Sequence, residues 1–368
     1  YFLFILIPVN FYVGPLFLSS VRLFLIVMII PLFVQLIRGK YGRILLPDLL
    51  FPLFLVWMTI SLIVNNPNMA VSQAGSMGVE FLGGYLLGRA YIRDAQSFST
   101  MIYCLFLVIL VTLPFAIFEA LTGKPLILEC IQRLPVIFSE SVVFTDKRWG
   151  LDRAQVMLAH PIHYGLFCSA IFSLIWVGMK GTFSTLVRVT ASLVVCVCVF
   201  LSLSSGALLS VVLQLVLISW AACSSRIRSR WLLFISILIV MYVAVDMLSN
   251  RTPIRVFMSY ATFSSHNAYW RGIIFDWGVK NVWLNPIFGL GFNDWIRPVY
   301  MYSGSMDNFW LVMAVRYGIP GLLTLTIGFV GSLWLISRRK FREHTQLWLL
   351  RRAWMFTFIG LTFSITTV

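Results

Sequence analysis

Long apolar runs separated by short polar connections organise this chain from end to end. The runs fall at residues 1–18, 21–37, 48–64, 76–90, 98–118, 161–179, 186–203, 206–223, 231–247, 309–336 and 353–368. Most are close to the ~20 apolar residues that a helix needs to cross a bilayer core. A membrane barrel would show stretches of about ten residues with alternating polarity, and that pattern is absent. The predicted fold class is therefore all-α: a polytopic transmembrane helical protein of about eleven spans, read as one membrane domain over residues 1–368. The sequence opens and closes inside apolar segments, so it is expected to be a piece of a longer chain with further spans.

Two connections, 119–160 and 248–308, are much longer than a helix connection needs, and such lengths are usually functional. The second is rich in Trp, Phe and Tyr, which suits a structured element at a membrane interface. Within it "RGIIFDWGVKNVW" predicts a short amphipathic helix, and "NPIFGLGFNDW" a turn-rich re-entry in which glycines allow close backbone approach. As one helix, the run from Phe309 to Ile336 would measure roughly 42 Å, too long for a core of about 30 Å. A kink is predicted at Gly318 and Pro320, because proline lacks the amide proton and clashes with the preceding turn.

Composition strengthens the membrane reading. At 60% hydrophobic residues and a mean hydropathy of +0.91, the chain carries more apolar surface than a soluble core of its size can bury. The formal charge of +15 raises nucleic acid as a partner, but its distribution decides otherwise. Of the 28 basic residues, 16 sit in one alternating set of short connections, from Arg38 and Lys40 to Arg351 and Arg352. The short connections of the opposite set carry none, so the first set is cytoplasmic and the two long loops face outward. The six cysteines lie mostly inside apolar runs, so no disulfide framework is expected.

Candidate chemistry collects in the outward loops. Over residues 248–306 of the larger loop Arg251, Arg255, Arg271, Lys280 and Arg297 face only Asp276 and Asp294, which points to an anionic ligand. Guanidinium forks match phosphate oxygens in pairs, although arginines that snorkel to ordinary lipid phosphates are the plainer alternative for any one of them. In the smaller loop "DKRWGLDRAQVMLAHPIHYG" places Arg148, Arg153, His160 and His163 just ahead of a span. No carboxylate or Cys shares a ligand spacing with the histidine pair, so no metal or cofactor is expected. Asp307, directly before an apolar run, reads equally as a helix N-cap or as a general base.

The order "YWRGIIFDWGVKNVWLNPIFGLGFNDWIRP", then "SMDNFWLVMAVRYGIPGLL", with "RWGLDRAQVMLAHPIHYG" and "LSLSSGALLS" upstream, resembles the O-antigen ligase and O-antigen polymerase family of bacterial membrane glycosyltransferases. The resemblance spans residues 145 to 335. It implies an enzyme of the bacterial inner membrane whose active site faces the periplasm. Such an enzyme transfers a glycan, without a metal, from a polyprenyl-pyrophosphate-linked oligosaccharide to a glycan or lipid-linked acceptor. Arg153 and Arg271 match family arginines taken to hold the pyrophosphate, with Arg148, His160, Arg255, Arg297 and Asn308 expected at the substrate. The ligases place His-Asn where this chain has Asp307-Asn308, a form more similar to exopolysaccharide polymerase-like members, in which Asp307 would be the base. The alternative is a transporter or flippase that holds a lipid-linked sugar, or another anionic amphiphile, without cleaving it.

Overall fold

The computed structural model describes the chain except residues 14–15, 136, 251, 254–255, 257–264, 302–303, 343–344 and 368, and the side chains of 13, 16–17 and 265–268. The expected contribution of Arg255 lies outside the described residues. The protein is a helical polytopic membrane protein. Its helices are α1 (Phe2–Leu6), α2 (Ser20–Ile37), α3 (Leu46–Asn65), α4 (Pro67–Tyr91), α5 (Ala95–Thr122), α6 (Leu126–Gln132), α7 (Pro161–Ser169), α8 (Thr185–Leu201), α9 (Ser205–Cys223), α10 (Arg230–Leu248), α11 (Ser265–Leu284), α12 (Phe309–Ser337) and α13 (Gln346–Ser364). A π-helical turn, Leu174–Gly178, comes after α7. Among the described residues seven segments are long and apolar enough to cross a membrane: α2, α3, α5, Pro161–Gly178, α9, α10 and α12.

Ten of the eleven apolar runs are helical, and the first is not a span. Residues 1–18 form only α1 before the chain turns into two antiparallel strands, β1 (Asn10–Val13) and β2 (Leu16–Ser19). The reason is local. Pro8 pushes the residue before it out of the helical region, so α1 stops at Leu6, and the Gly14-Pro15 pair in the sequence disfavours any later restart of the helix within this run. Asn10 then pairs through its backbone with Phe138, which ties these strands to the loop after α6.

The helices pack as two groups. In one, α5, α7, α8, α9 and α13 enclose Ile109, Tyr164, Cys168, Ile175, Val195 and Ala353, joined by Ala154 and Val156 from the 119–160 loop. In the other, α3 and α12 bury Phe51, Phe54, Met58, Leu62 and Tyr317 against α4. Helix α10 has no buried residue, which leaves its apolar surface for lipid. Polar backbone freed inside the apolar layer finds partners, because water is not available there. The break between α7 and the π-turn, for example, is met by Gln214, whose amide accepts from Ser173 N at 3.0 Å and donates to Ser169 O at 2.9 Å.

The 285–293 segment solves the same problem for α12. Gly318 takes φ +71°, so the helix breaks there, with Pro320 just beyond, as the sequence predicts. The carbonyls this frees are filled from outside the helix. Leu290 N donates to Val315 O at 2.8 Å and Gly291 N to Arg316 O at 2.9 Å, while Trp57 Nε1 donates to Tyr317 O at 2.9 Å. In return Ile319 N donates to Pro286 O at 2.7 Å. Such an approach requires glycine: a Cβ on Gly318 would lie 2.0 Å from Ile287 O, and one on Gly289 2.5 Å from Arg316 O. Asn66, at the α3–α4 turn, accepts from Phe292 N at 2.8 Å and closes the loop onto α3.

Candidate active site

The site forms where the two helical groups meet, at the end of the protein that carries both long loops. The guanidiniums arrive from two segments, α11 and the 119–160 loop. Helix α11, longer than the short helix predicted from 271–283, lies beside α12 and is held there by Trp270, Ile273, Ile274 and Trp277 around Leu311 and Val315. Gly278 is the point of closest approach, since a Cβ there would stand 2.5 Å from a Leu311 methyl. Arg271 lies two turns before Gly278 and Asp307 one turn before Leu311, so this packing sets the two together. Arg271 Nε donates to Asp307 Oδ2 at 3.4 Å, with the arginine side chain 12% and the carboxylate 42% exposed.

Arg148 and Arg153 come from the other side. Arg148 Nη1 donates to Leu203 O at 2.5 Å and Arg153 Nε to Ser202 O at 3.3 Å, both in the tight turn between α8 and α9. That turn presents carbonyls rather than carboxylates, so it orients the two guanidiniums without cancelling their charge. Beneath them Glu119, at the end of α5, accepts from Gln155 N and Val156 N at 2.9 Å each and holds the 153–156 backbone. Glu119 and the 202–203 carbonyls escaped the sequence reading. An acid at the end of an apolar run was the only available signal for the first, and carbonyl direction leaves no signal at all.

Electrostatics link these groups. Burial lowers the Arg148 pKa, and the Arg271 charge lowers it further, against the opposing pull of Asp146. Burial, then the Arg148 charge, bring Arg153 down to about 10, which still leaves it cationic at neutral pH. His160 is lowered to about 4, first by burial and then by Arg153 and His163. It is the N-cap of α7, and its Nδ1 accepts from Ile162 N at 3.1 Å. The neutral ring must therefore carry its proton on Nε2 and present a donor.

Arg148, Arg153, His160, Arg271 and Asp307 thus share one electrostatic neighbourhood. Among the described residues Arg271 Nη1 is buried and has no hydrogen-bond partner, a costly condition unless a ligand supplies an acceptor. Two candidates stand differently. Arg297 is paired with Asp294 and donates to Met301 O at 3.1 Å, a brace within its own loop. The N-cap of α12 is Asn308, whose side chain accepts from Leu311 N at 3.1 Å; the capping role read for Asp307 is corrected accordingly. Asp307 instead meets Arg271 and accepts from Ser305 Oγ at 3.3 Å. Three clustered guanidiniums, a fixed imidazole donor and a half-exposed carboxylate can bind a multivalent anion and take up a proton beside it.

Residues 190–326 match a family model described as O-antigen ligase. The match takes in the α8–α9 turn, Arg271 and Asp307, while Arg148, Arg153 and His160 precede it. No curated protein and no solved structure matches the chain.

Proposed function

From the premise that this chain is an enzyme of the O-antigen ligase family through residues 190–326, we propose that it transfers a glycan from a polyprenyl diphosphate to a glycan or lipid-linked acceptor. The observation that carries this reading is the gathering of Arg148 and Arg153, from the 119–160 loop, and Arg271, from α11, around a buried guanidinium nitrogen that has no hydrogen-bond partner among the described residues. A diphosphate is the group such a cluster matches in charge and in paired oxygens.

In the reaction the acceptor hydroxyl oxygen attacks the anomeric carbon from the face opposite the diphosphate. The bond from that carbon to the diphosphate oxygen breaks, its electron pair leaves with the oxygen, and the configuration inverts. The rising charge on the leaving group is met by guanidiniums already in place, the kind of preorganised electrostatics that dominates many enzymatic rate accelerations. His160 Nε2–H adds a neutral donor beside Arg153. Asp307 accepts the hydroxyl proton. It is free for that role because Asn308 caps the helix, and its ion pair with Arg271 fixes where the carboxylate stands.

Ten helices, α2–α5, α7–α10, α12 and α13, cross the inner membrane in this reading, with the site on the periplasmic side. The basic connections at the opposite end support that orientation. Purified protein in lipid nanodiscs, given a polyprenyl-diphosphate-linked oligosaccharide, is expected to release free polyprenyl diphosphate and a longer or transferred glycan. A flippase would release neither product, and that outcome would overturn the transferase reading.

A further inference from the structure

Arg148 and Leu151 exchange backbone hydrogen bonds at 3.0 Å each, closing a two-residue turn over Trp149 and Gly150. Both central residues take positive φ, +53° at Trp149 and +80° at Gly150. Such turns favour Asn, Asp or Gly, and a bulky aromatic at the first central position is held against its backbone preference. The turn brings the Arg148 guanidinium to Leu203 O, while the Trp149 ring, 67% exposed, stacks on the neighbouring Phe200 at 5.7 Å and 20°.

Phe200 is the penultimate residue of α8 and the first of an uncovered line along it. Phe200, Val197, Leu193 and Leu186 are all exposed and fall at helical spacing on one face, with Thr190 the one polar residue among them. From Leu186 to Phe200 the line runs roughly 21 Å into the apolar layer. A lipid-linked donor has two ends with opposite needs: its diphosphate requires cations at the surface, and its tail requires an apolar path that begins one bond away. Arg148 and Trp149 are neighbours in sequence and meet those needs in that order.

We propose that Trp149, Phe200 and the α8 line below them form the lane for the polyisoprenoid tail of the donor. The inference rests on the reading of Arg148, Arg153 and Arg271 as the diphosphate site. A sugar platform fits less well, because the surface that continues from the stacked rings is hydrocarbon and offers one hydroxyl.

The test compares two donors with the same oligosaccharide diphosphate, one on a long polyprenyl chain and one on a two-isoprene chain. Trp149→Asn suits the positive-φ turn, so it removes the ring while favouring the local fold. In nanodiscs the wild type is expected to show a lower KM for the long-chain donor. Trp149→Asn, and separately Phe200→Ala, should shrink that preference about tenfold, the scale of one aromatic side chain removed from an apolar contact. An equal rise in KM for both donors would place Trp149 on the sugar or diphosphate and overturn the lane. No change for either donor would make it an interfacial anchor only and overturn the lane as well. A parallel calorimetric comparison of long- and short-chain polyprenyl diphosphates, with no sugar attached, keeps the two readings apart. Chain-length preference in binding that is lost in Trp149→Asn, without turnover of either donor, would retain the lane and reject the transfer chemistry.

Discussion

Replacing Arg271 by alanine separates what this side chain does for the fold from what it does for turnover. Its ion pair among the described residues, to Asp307 at 3.4 Å, reaches a carboxylate that is 42% exposed, so solvent screens it. Pairs of that kind contribute about 0–1 kcal/mol. Removing Arg271 also relieves its repulsion of Arg148. The net change in stability is therefore expected to stay within about 1 kcal/mol. The catalytic loss is larger. Arg271 Nη1 is buried with no hydrogen-bond partner among the described residues, so a donor already aimed and dehydrated is removed from the leaving group. Deleting one such preorganised donor costs about 2.7–4 kcal/mol, or ~10²- to 10³-fold in kcat. Arg271→Lys keeps the charge but loses the planar fork, and should recover only a small part of this. The assay is release of polyprenyl diphosphate in nanodiscs, with thermal unfolding measured on the same preparations. Turnover of the Ala variant within about threefold of wild type, at unchanged Tm, would refute the role given to Arg271.

Three further perturbations test other parts of the site. Asp307→Asn leaves the Asn308 cap intact, so Tm should hold while kcat falls ~10²- to 10⁴-fold, the usual worth of a general base; equal kcat would make Asp307 structural. His160 has a folded pKa of about 4 against an ordinary 6.5, so the unfolded state takes up its proton first. Its contribution to stability is then fully present above pH 6.5 and is lost as the pH falls toward 4. His160→Asn, which retains a capping acceptor, should flatten Tm against pH over that window, and an unchanged slope would count against a buried neutral imidazole. Gly318→Ala places a Cβ at φ +71° and 2.0 Å from Ile287 O. It should cost about 1–3 kcal/mol from the backbone alone, and more from the displaced 286–291 loop. An unaltered Tm would show that the break in α12 is not built as described.

The helical membrane fold was legible in the sequence because lipid leaves few ways to satisfy a backbone, and runs of apolar residues report that constraint directly. Gly318 and Pro320 likewise announced the break in α12, since their backbone limits are properties of single residues. The first run misled because its hydropathy matched a span while Pro8 and the Gly14-Pro15 pair disfavoured one, and composition averaged over the run hides such punctuation. At the site, the residue types were legible and their partners were not. Arg153, Arg271 and Asp307 stood out by charge in an apolar chain, yet which of Asp307 and Asn308 caps α12 depended on a single backbone direction.

What the sequence determined by itself was therefore the medium: a membrane-embedded helical chain, with its cations sorted by connection and its unusual carboxylate ahead of a span. Tertiary structure alone decided that Arg148 and Arg153 would hang from the 202–203 carbonyls while Arg271 approached from α11 across the seam of two helical groups. Apolar periodicity is local and survives in the order of residues. The meeting of like charges from distant segments is not local: it costs free energy that only a completed fold, with helices packed at Gly278 and backbone closed at Gly318, can sustain.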